Sequence, residues 1–194
     1  MWRTIALALI FCLTPCRTAV VPQLSLSEMV SRSECIVEAT VRRSWASWDP
    51  AHRFIWTHYE LSIHSSWKGA PASSTMVVSE PGGTVNGLTM HVGGAVPYLP
   101  NEDVMLFLYR TPVGYIRALG NGQGKFTITR HGASGDRYVH ANVSGIELTP
   151  ARRDLPGLAA APREPERLDG LRLEEFKSRV RRLLGGRETA KVTP

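Results

Sequence analysis

The run Val104-Met105-Leu106-Phe107-Leu108-Tyr109 constrains this chain more than any other stretch beyond its N-terminus. It stands between turn-prone Pro100-Asn101-Glu102-Asp103 and Thr111-Pro112-Val113-Gly114. An apolar run that short, with breakers on both sides, fits a strand and not a helix. Because it does not alternate with polar residues, the strand has no face for water and must be covered on both sides. Strands wrapping above and below it would give that cover, which points to a closed or nearly closed β-barrel.

The flanking segments supply such strands. Val37, Ala39 and Val41 alternate with Glu38, Thr40 and Arg42, and Ile55, Tyr59, Leu61 and Ile63 alternate with Trp56, His58, Glu60 and His64. Together they predict a long hairpin turning at Asp49-Pro50-Ala51-His52. Opposed residues of an antiparallel pair point to one face, and the core residues are odd-numbered on both strands. Opposed numbers must then have an even sum. A three-residue loop Pro50-Ala51-His52 satisfies this, whereas an even-length loop needs a bulge. With a sum of 102, Val41 faces Leu61, Ala39 faces Ile63, and Trp48 meets Phe54 on the outward face with Trp56 one step along. Further strands follow at residues 75–79, 85–92, 115–119, 125–130 and 138–140, separated by Gly- and Pro-containing turns. Strands this short and evenly punctuated read as an all-β dominated fold, a barrel or a sandwich.

The two ends differ from this body. Met1-Trp2-Arg3 followed by uncharged residues 4–13 reads as a secretory signal, with cleavage expected between Cys16 and Val21. Ser25-Leu26-Ser27-Glu28 is a capping-box spacing that predicts a short helix. Residues 151–169 are rich in proline and alternating charge and read as a disordered linker. Asp169 is placed to cap an amphipathic helix over 170–186 with a stripe of Leu173, Phe176, Val180, Leu183 and Leu184, stopped by Gly185-Gly186. The organisation expected is therefore a signal over 1–19, a barrel over 20–150, a linker over 151–169 and the helix.

Charge narrows the partners. Without Arg3 and Arg17 the formal net charge of +6 becomes +4. Residues 20–150 hold 10 basic and 10 acidic side chains, while residues 151–194 hold 11 and 7. A nucleic-acid-binding barrel needs a cationic groove, and a neutral body argues against one. The basic helix is expected to dock on the barrel by its apolar stripe, in preference to lying on an anionic membrane.

The order of pieces carries a resemblance. A short helix, a long hairpin from Ser33-Glu34-Cys35-Ile36-Val37 to Trp67-Lys68-Gly69, the turn Pro81-Gly82-Gly83, residues 105–108 and Gly122-Gln123-Gly124-Lys125-Phe126 look like an uncharacterised family of secreted bacterial proteins. More distantly, residues 25 to 130 are similar to the netrin-like module, an OB-type barrel seen in tissue inhibitors of metalloproteinases. The resemblance implies fold more than function. Those inhibitors chelate the protease zinc through an N-terminal cysteine, and only cleavage before Cys16 would leave a cysteine first.

Constellations with chemical potential are few. His58 and His64 lie on one strand roughly 20 Å apart at about 3.3 Å per residue, too far to share an ion. His131-Gly132-Ala133-Ser134-Gly135-Asp136 lacks a nucleophile elbow. Cys35, the one cysteine clear of the signal, sits beside Glu34 and apolar Ile36 and reads as a structural thiol. No catalytic residue, metal ligand or cofactor site is assigned. The feature with functional promise is the aromatic tip, Trp48, Phe54 and Trp56, since exposed tryptophans favour binding surfaces. The alternative is that the C-terminal helix or a loop covers them. The sequence thus reads as a secreted or periplasmic, non-enzymatic module for a protein or glycan partner. A netrin-like protease inhibitor is the alternative, and a hydrolase is least favoured.

Overall fold

The computed structural model describes residues 19–69, 71, 73–132, 135–142, 146–149 and 167–188. In chain order these form β1 (Ala19–Pro22), α1 (Leu26–Arg32), β2 (Cys35–Trp48), β3 (Ile55–Lys68), β4 (Thr75–Pro81), β5 (Gly83–Val85), β6 (Leu88–Met90), β7 (Asp103–Arg110) and β8 (Ile116–Ala118). There follow β9 (Lys125–His131), β10 (Asp136–Ala141), β11 (Ile146–Thr149), β12 (Leu171–Arg172) and α2 (Leu173–Glu188). The fold is mostly β, built on one large antiparallel sheet with two helices. The sheet runs β12-β10-β9-β7-β2-β3-β4, with β8 added beside β7.

The run 104–108 occupies the centre as β7, and its residues are fully buried. It pairs with β2 on one edge, and with β9 and then β8 on the other. Its two faces are covered differently. Met105 and Phe107, with Ile36, Phe126, Ile128 and Val139, pack under Leu26, Met29 and Val30 of α1 and Leu173, Phe176 and Val180 of α2. Val104, Leu106 and Leu108, with Val37, Ala39, Val41, Tyr59, Leu61 and Val78, form a second cluster closed by Tyr98. Strands above and below were expected; helices cover one face instead. Nor does a closed barrel form by pairing, because among the described residues no ladder joins β4 to β8 or to β12. β4 and β8 approach each other through side chains: Glu80 meets Arg117 at 2.8 Å and accepts the Ala118 amide at 3.3 Å.

Local chemistry explains several elements. α1 starts at a complete capping box, Ser25 with Glu28, and Lys68 donates to the Val30 and Ser31 carbonyls at its other end. Fully buried Lys125 donates to the Pro97 carbonyl at 2.7 Å and Glu102 at 2.9 Å, stapling the segment before β7 over the inner cluster. Burial lowers the Lys125 pKa, against the pull of Glu102. α2 is tied down by Lys177, 2.7 Å from Glu38 of β2.

Other expectations need correction. Residues 85–92 are not one strand: Asn86 and Gly87 both take positive φ, the geometry of a tight hairpin turn between β5 and β6. Asp169 does not cap the last helix, since its carboxylate accepts the Ala141 amide at 3.0 Å. α2 begins at Leu173 and continues through Gly185 and Gly186 to Glu188. Leu168, at the end of the expected linker, is buried against the helix-side cluster. The expected signal up to residue 18, linker residues 151–166, and Ala133, Ser134 and Val143 lie outside the described residues.

Candidate functional site

The long hairpin positions the site, and its register decides which side chains meet. Val41 faces Leu61 and Ala39 faces Ile63, the pairings expected from parity. Beyond Val41 the ladder slips at Arg42, so that Arg43 faces Glu60, Trp45 faces His58, Ser47 faces Trp56 and Trp48 faces Ile55. A bulge places two residues of one strand against one of the other and inverts the facing of all that follows. Six residues, 49–54, separate the strands, so the even connection brings with it the bulge that parity requires. The Asp49 carboxylate accepts the Phe54 and Arg53 amides at 3.0 and 2.7 Å, and the Phe54 bond leads in lowering its pKa.

The slip breaks up the expected tip. Trp48 turns to the side of Ile55, opposite Trp56, and stacks on His52 with ring centroids 6.3 Å apart. On that side β5 crosses so closely that a Cβ on Gly83 would lie 2.4 Å from Thr57 Oγ1. Phe54 is 52% exposed at the turn. Trp56 alone of the three joins a larger group. Nor is α2 the cover: the tryptophan beneath it is Trp67, which lies under Lys177 and Arg181.

Around Trp56 the hairpin and β8 assemble a continuous aromatic series. Arg43 lies 5.2 Å from the Trp45 ring, Trp45 is 5.4 Å from His58, His58 is 5.9 Å from Tyr115, and Tyr115 is 4.3 Å from Trp56. Arg117 ends it, 6.0 Å from the Trp56 ring. Both arginines are held by carboxylates, Arg43 by Glu60 at 2.7 Å and Arg117 by Glu80. Burial raises the Glu80 pKa, opposed by Arg117 and the Ala118 amide. At the centre, His58 Nδ1 is 2.8 Å from the Ser79 hydroxyl and Nε2 is 2.9 Å from that of Ser47. Burial lowers the His58 pKa, so the ring is neutral at pH 7, with one nitrogen donating and the other accepting. Trp45 is 39% exposed, and Trp56 and Tyr115 are half-buried, so the series presents ring surface from a fixed base.

Two groupings join hydroxyls to imidazoles on the hairpin. Ser47 and Ser79 both bond His58, but serine occupies the place where a carboxylate would orient the imidazole. Thr40 Oγ1 donates to Asp103 at 2.5 Å and lies 2.7 Å from His64 Nε2. A hydroxyl has one proton, so with Thr40 donating to Asp103 it is His64 Nε2 that donates to Thr40. His58 and His64 thus serve separate hydroxyls. Among the described residues no three His, Cys, Asp or Glu side chains gather as metal ligands, and no helix is long and apolar enough to cross a membrane.

Trp45, Tyr115, Arg43 and Arg117 were missed by the sequence reading. The available signal was the break in alternation at Arg42-Arg43-Ser44, after which small and apolar Ala46 and Trp48 are even-numbered. Tyr115 had no local signal, since it reaches the series only through tertiary packing. The chain matches no protein-family model, no curated protein and no solved structure.

Proposed function

We propose that this is a secreted or periplasmic, non-enzymatic module that holds a protein or glycan partner on the face made by Trp45, Trp56 and Tyr115. The observation that carries the reading is the unbroken series from Arg43 to Arg117, with aromatic ring surface left accessible at Trp45. Aromatic side chains held rigid by neighbours give contact area at small entropic cost, which is why tryptophan and tyrosine dominate binding hot spots. Polar partners of His58 fix the platform from below and leave its stacking surface to a ligand.

The architectural part of the proposal is an OB-like, netrin-like barrel with one seam left unpaired. Its support is the approach of β8 to β4 through Glu80, Arg117 and Ala118. The protease-inhibitor alternative would draw on Cys16, which lies outside the described residues.

The test presents the mature protein to a glycan array and to solubilised envelope proteins, beside Trp45→Ala and Tyr115→Ala variants. A partner retained by the parent and lost by both variants supports the reading. A partner retained equally by all three places binding elsewhere, and turnover of any ligand would end the non-enzymatic reading.

A further inference from the structure

The seam between β4 and β8 is held at one end and open at the other. Ile63 donates to the Ser74 carbonyl and Gly82 to the Ile55 carbonyl, both at 2.8 Å, and the register between them is unbroken. Even-numbered residues of β4 therefore exchange bonds with β3, and the backbone groups of Val77 and Ser79 turn to the free edge. Across the seam, Thr111 donates to the Tyr115 carbonyl at 2.7 Å and Leu119 to the Phe107 carbonyl at 2.9 Å. Odd-numbered residues there face β7, so the backbone groups of Ile116 and Ala118 turn toward β4. Glu80 takes the Ala118 amide. Toward Thr75 the strands leave a pocket of about 430 Å³ lined by Met76, Val77, Leu108, Arg110 and Ile116.

We propose that an extended segment of a partner protein adds to β4 here as a short strand, bonding the Val77 backbone and seating an apolar side chain in the pocket. An edge strand with outward N–H and C=O groups is a template for another chain, and an adjoining pocket selects alternate side chains. Charge points to the same occupant. The lining holds one acidic side chain, Glu34, which accepts the Arg110 main-chain amide at 3.1 Å, and one basic side chain, Arg110, whose guanidinium donates to the Gly114 carbonyl at 3.1 Å. One charge of each sign in the lining favours an uncharged, apolar segment over a phosphate backbone or an acidic sugar. Val77 is 39% exposed and lies outside the aromatic series, so this inference stands or falls separately from the face at Trp45.

The test selects random displayed heptapeptides on the immobilised full chain, then synthesises enriched peptides with single N-methyl groups along the backbone. Strand addition predicts a shared apolar residue and a loss of about tenfold or more in affinity at alternate N-methyl positions only. Val77→Pro, which removes an outward amide without touching the β3 ladder, should abolish binding, and Trp45→Ala should leave it intact. Ile116→Trp, which fills the pocket, should also abolish it and decides the matter if Val77→Pro does not fold. No enrichment, uniform tolerance of N-methylation, or a Val77 amide already protected from hydrogen exchange in the free protein would overturn the proposal.

Discussion

Trp45 and His58 stand directly opposite each other across the β2–β3 ladder, their ring centroids 5.4 Å apart. That pairing exists because the ladder slips by one residue at Arg42. Without the slip, Trp45 would turn toward the inner cluster and the series joining it to Tyr115 and Trp56 could not form. A single unpaired backbone position thus converts a hairpin with a buried face into one that also carries an organised aromatic surface.

Phe107 lies edge-on to both Phe126 and Phe176, with centroids 5.8 and 6.2 Å away, and is fully buried. Its truncation empties the contact between β7, β9 and α2. Phe107→Ala should therefore lower stability by roughly 3–5 kcal/mol, and Leu106→Ala on the other face by roughly 2–5 kcal/mol. Urea melts measure both. A change under about 0.5 kcal/mol, the size expected of surface sites, would remove β7 from the core.

Lys177 and Glu38 join α2 to the sheet with side chains 9% and 11% exposed. Glu38 also pairs with Arg137 at 3.3 Å and accepts from Ser65 at 3.4 Å, so its charge keeps partners when Lys177 is removed, and Lys177→Met should cost about 1–3 kcal/mol. Glu38→Gln combined with Lys177→Met should cost less than the sum of the single changes. A double-mutant cycle in urea reads the coupling directly, and additive losses would mean the two side chains act apart.

His58 gives the fold a pH dependence with a definite sign. Burial depresses its pKa below the ordinary 6.5. The unfolded chain therefore takes up this proton before the folded one does. Stability from the neutral ring is full above about pH 6.5 and declines as pH falls toward the depressed folded value. His58→Gln, whose amide can still bond two hydroxyls, should flatten that part of the profile. The measurement is the difference in melting temperature between parent and variant at about pH 7.5 and pH 5.5. A parent that loses no more than the variant on acidification would contradict the assignment.

Export is testable by mass alone. Mature protein from the native host should lack about its first 16 to 20 residues, as a cleaved secretory signal requires. Intact Met1-Trp2 on protein from the cytoplasmic fraction would remove the secreted reading and the partners it implies.

Strong local patterns were legible in the sequence. The unbroken apolar run fixed β7, the Ser25 and Glu28 spacing fixed α1, and parity fixed Val41 against Leu61. What was hidden depends on distant contacts or on one residue out of phase. The break at Arg42-Arg43-Ser44 marks a change of phase, but three polar residues in a row do not show which of them is left unpaired. Asp169 satisfies a capping pattern, yet the amide it meets belongs to Ala141, 28 residues earlier. β8 is only three residues long and draws its significance from Glu80 across the seam, so Tyr115 could not be assigned to the aromatic face.

The central claim is that Trp45 and Trp56 belong to a binding face, and a double variant tests it most directly. Trp45→Ala with Trp56→Ala is to be compared with the parent for affinity toward the partner recovered from the array or envelope screen, by titration calorimetry. Thermal melts of the two proteins accompany it. The account predicts a loss of roughly 2 kcal/mol or more in binding, as hot-spot residues give, with the fold retained. Unchanged affinity, or a collapse in stability of roughly 3–5 kcal/mol such as buried aromatics produce, would contradict it.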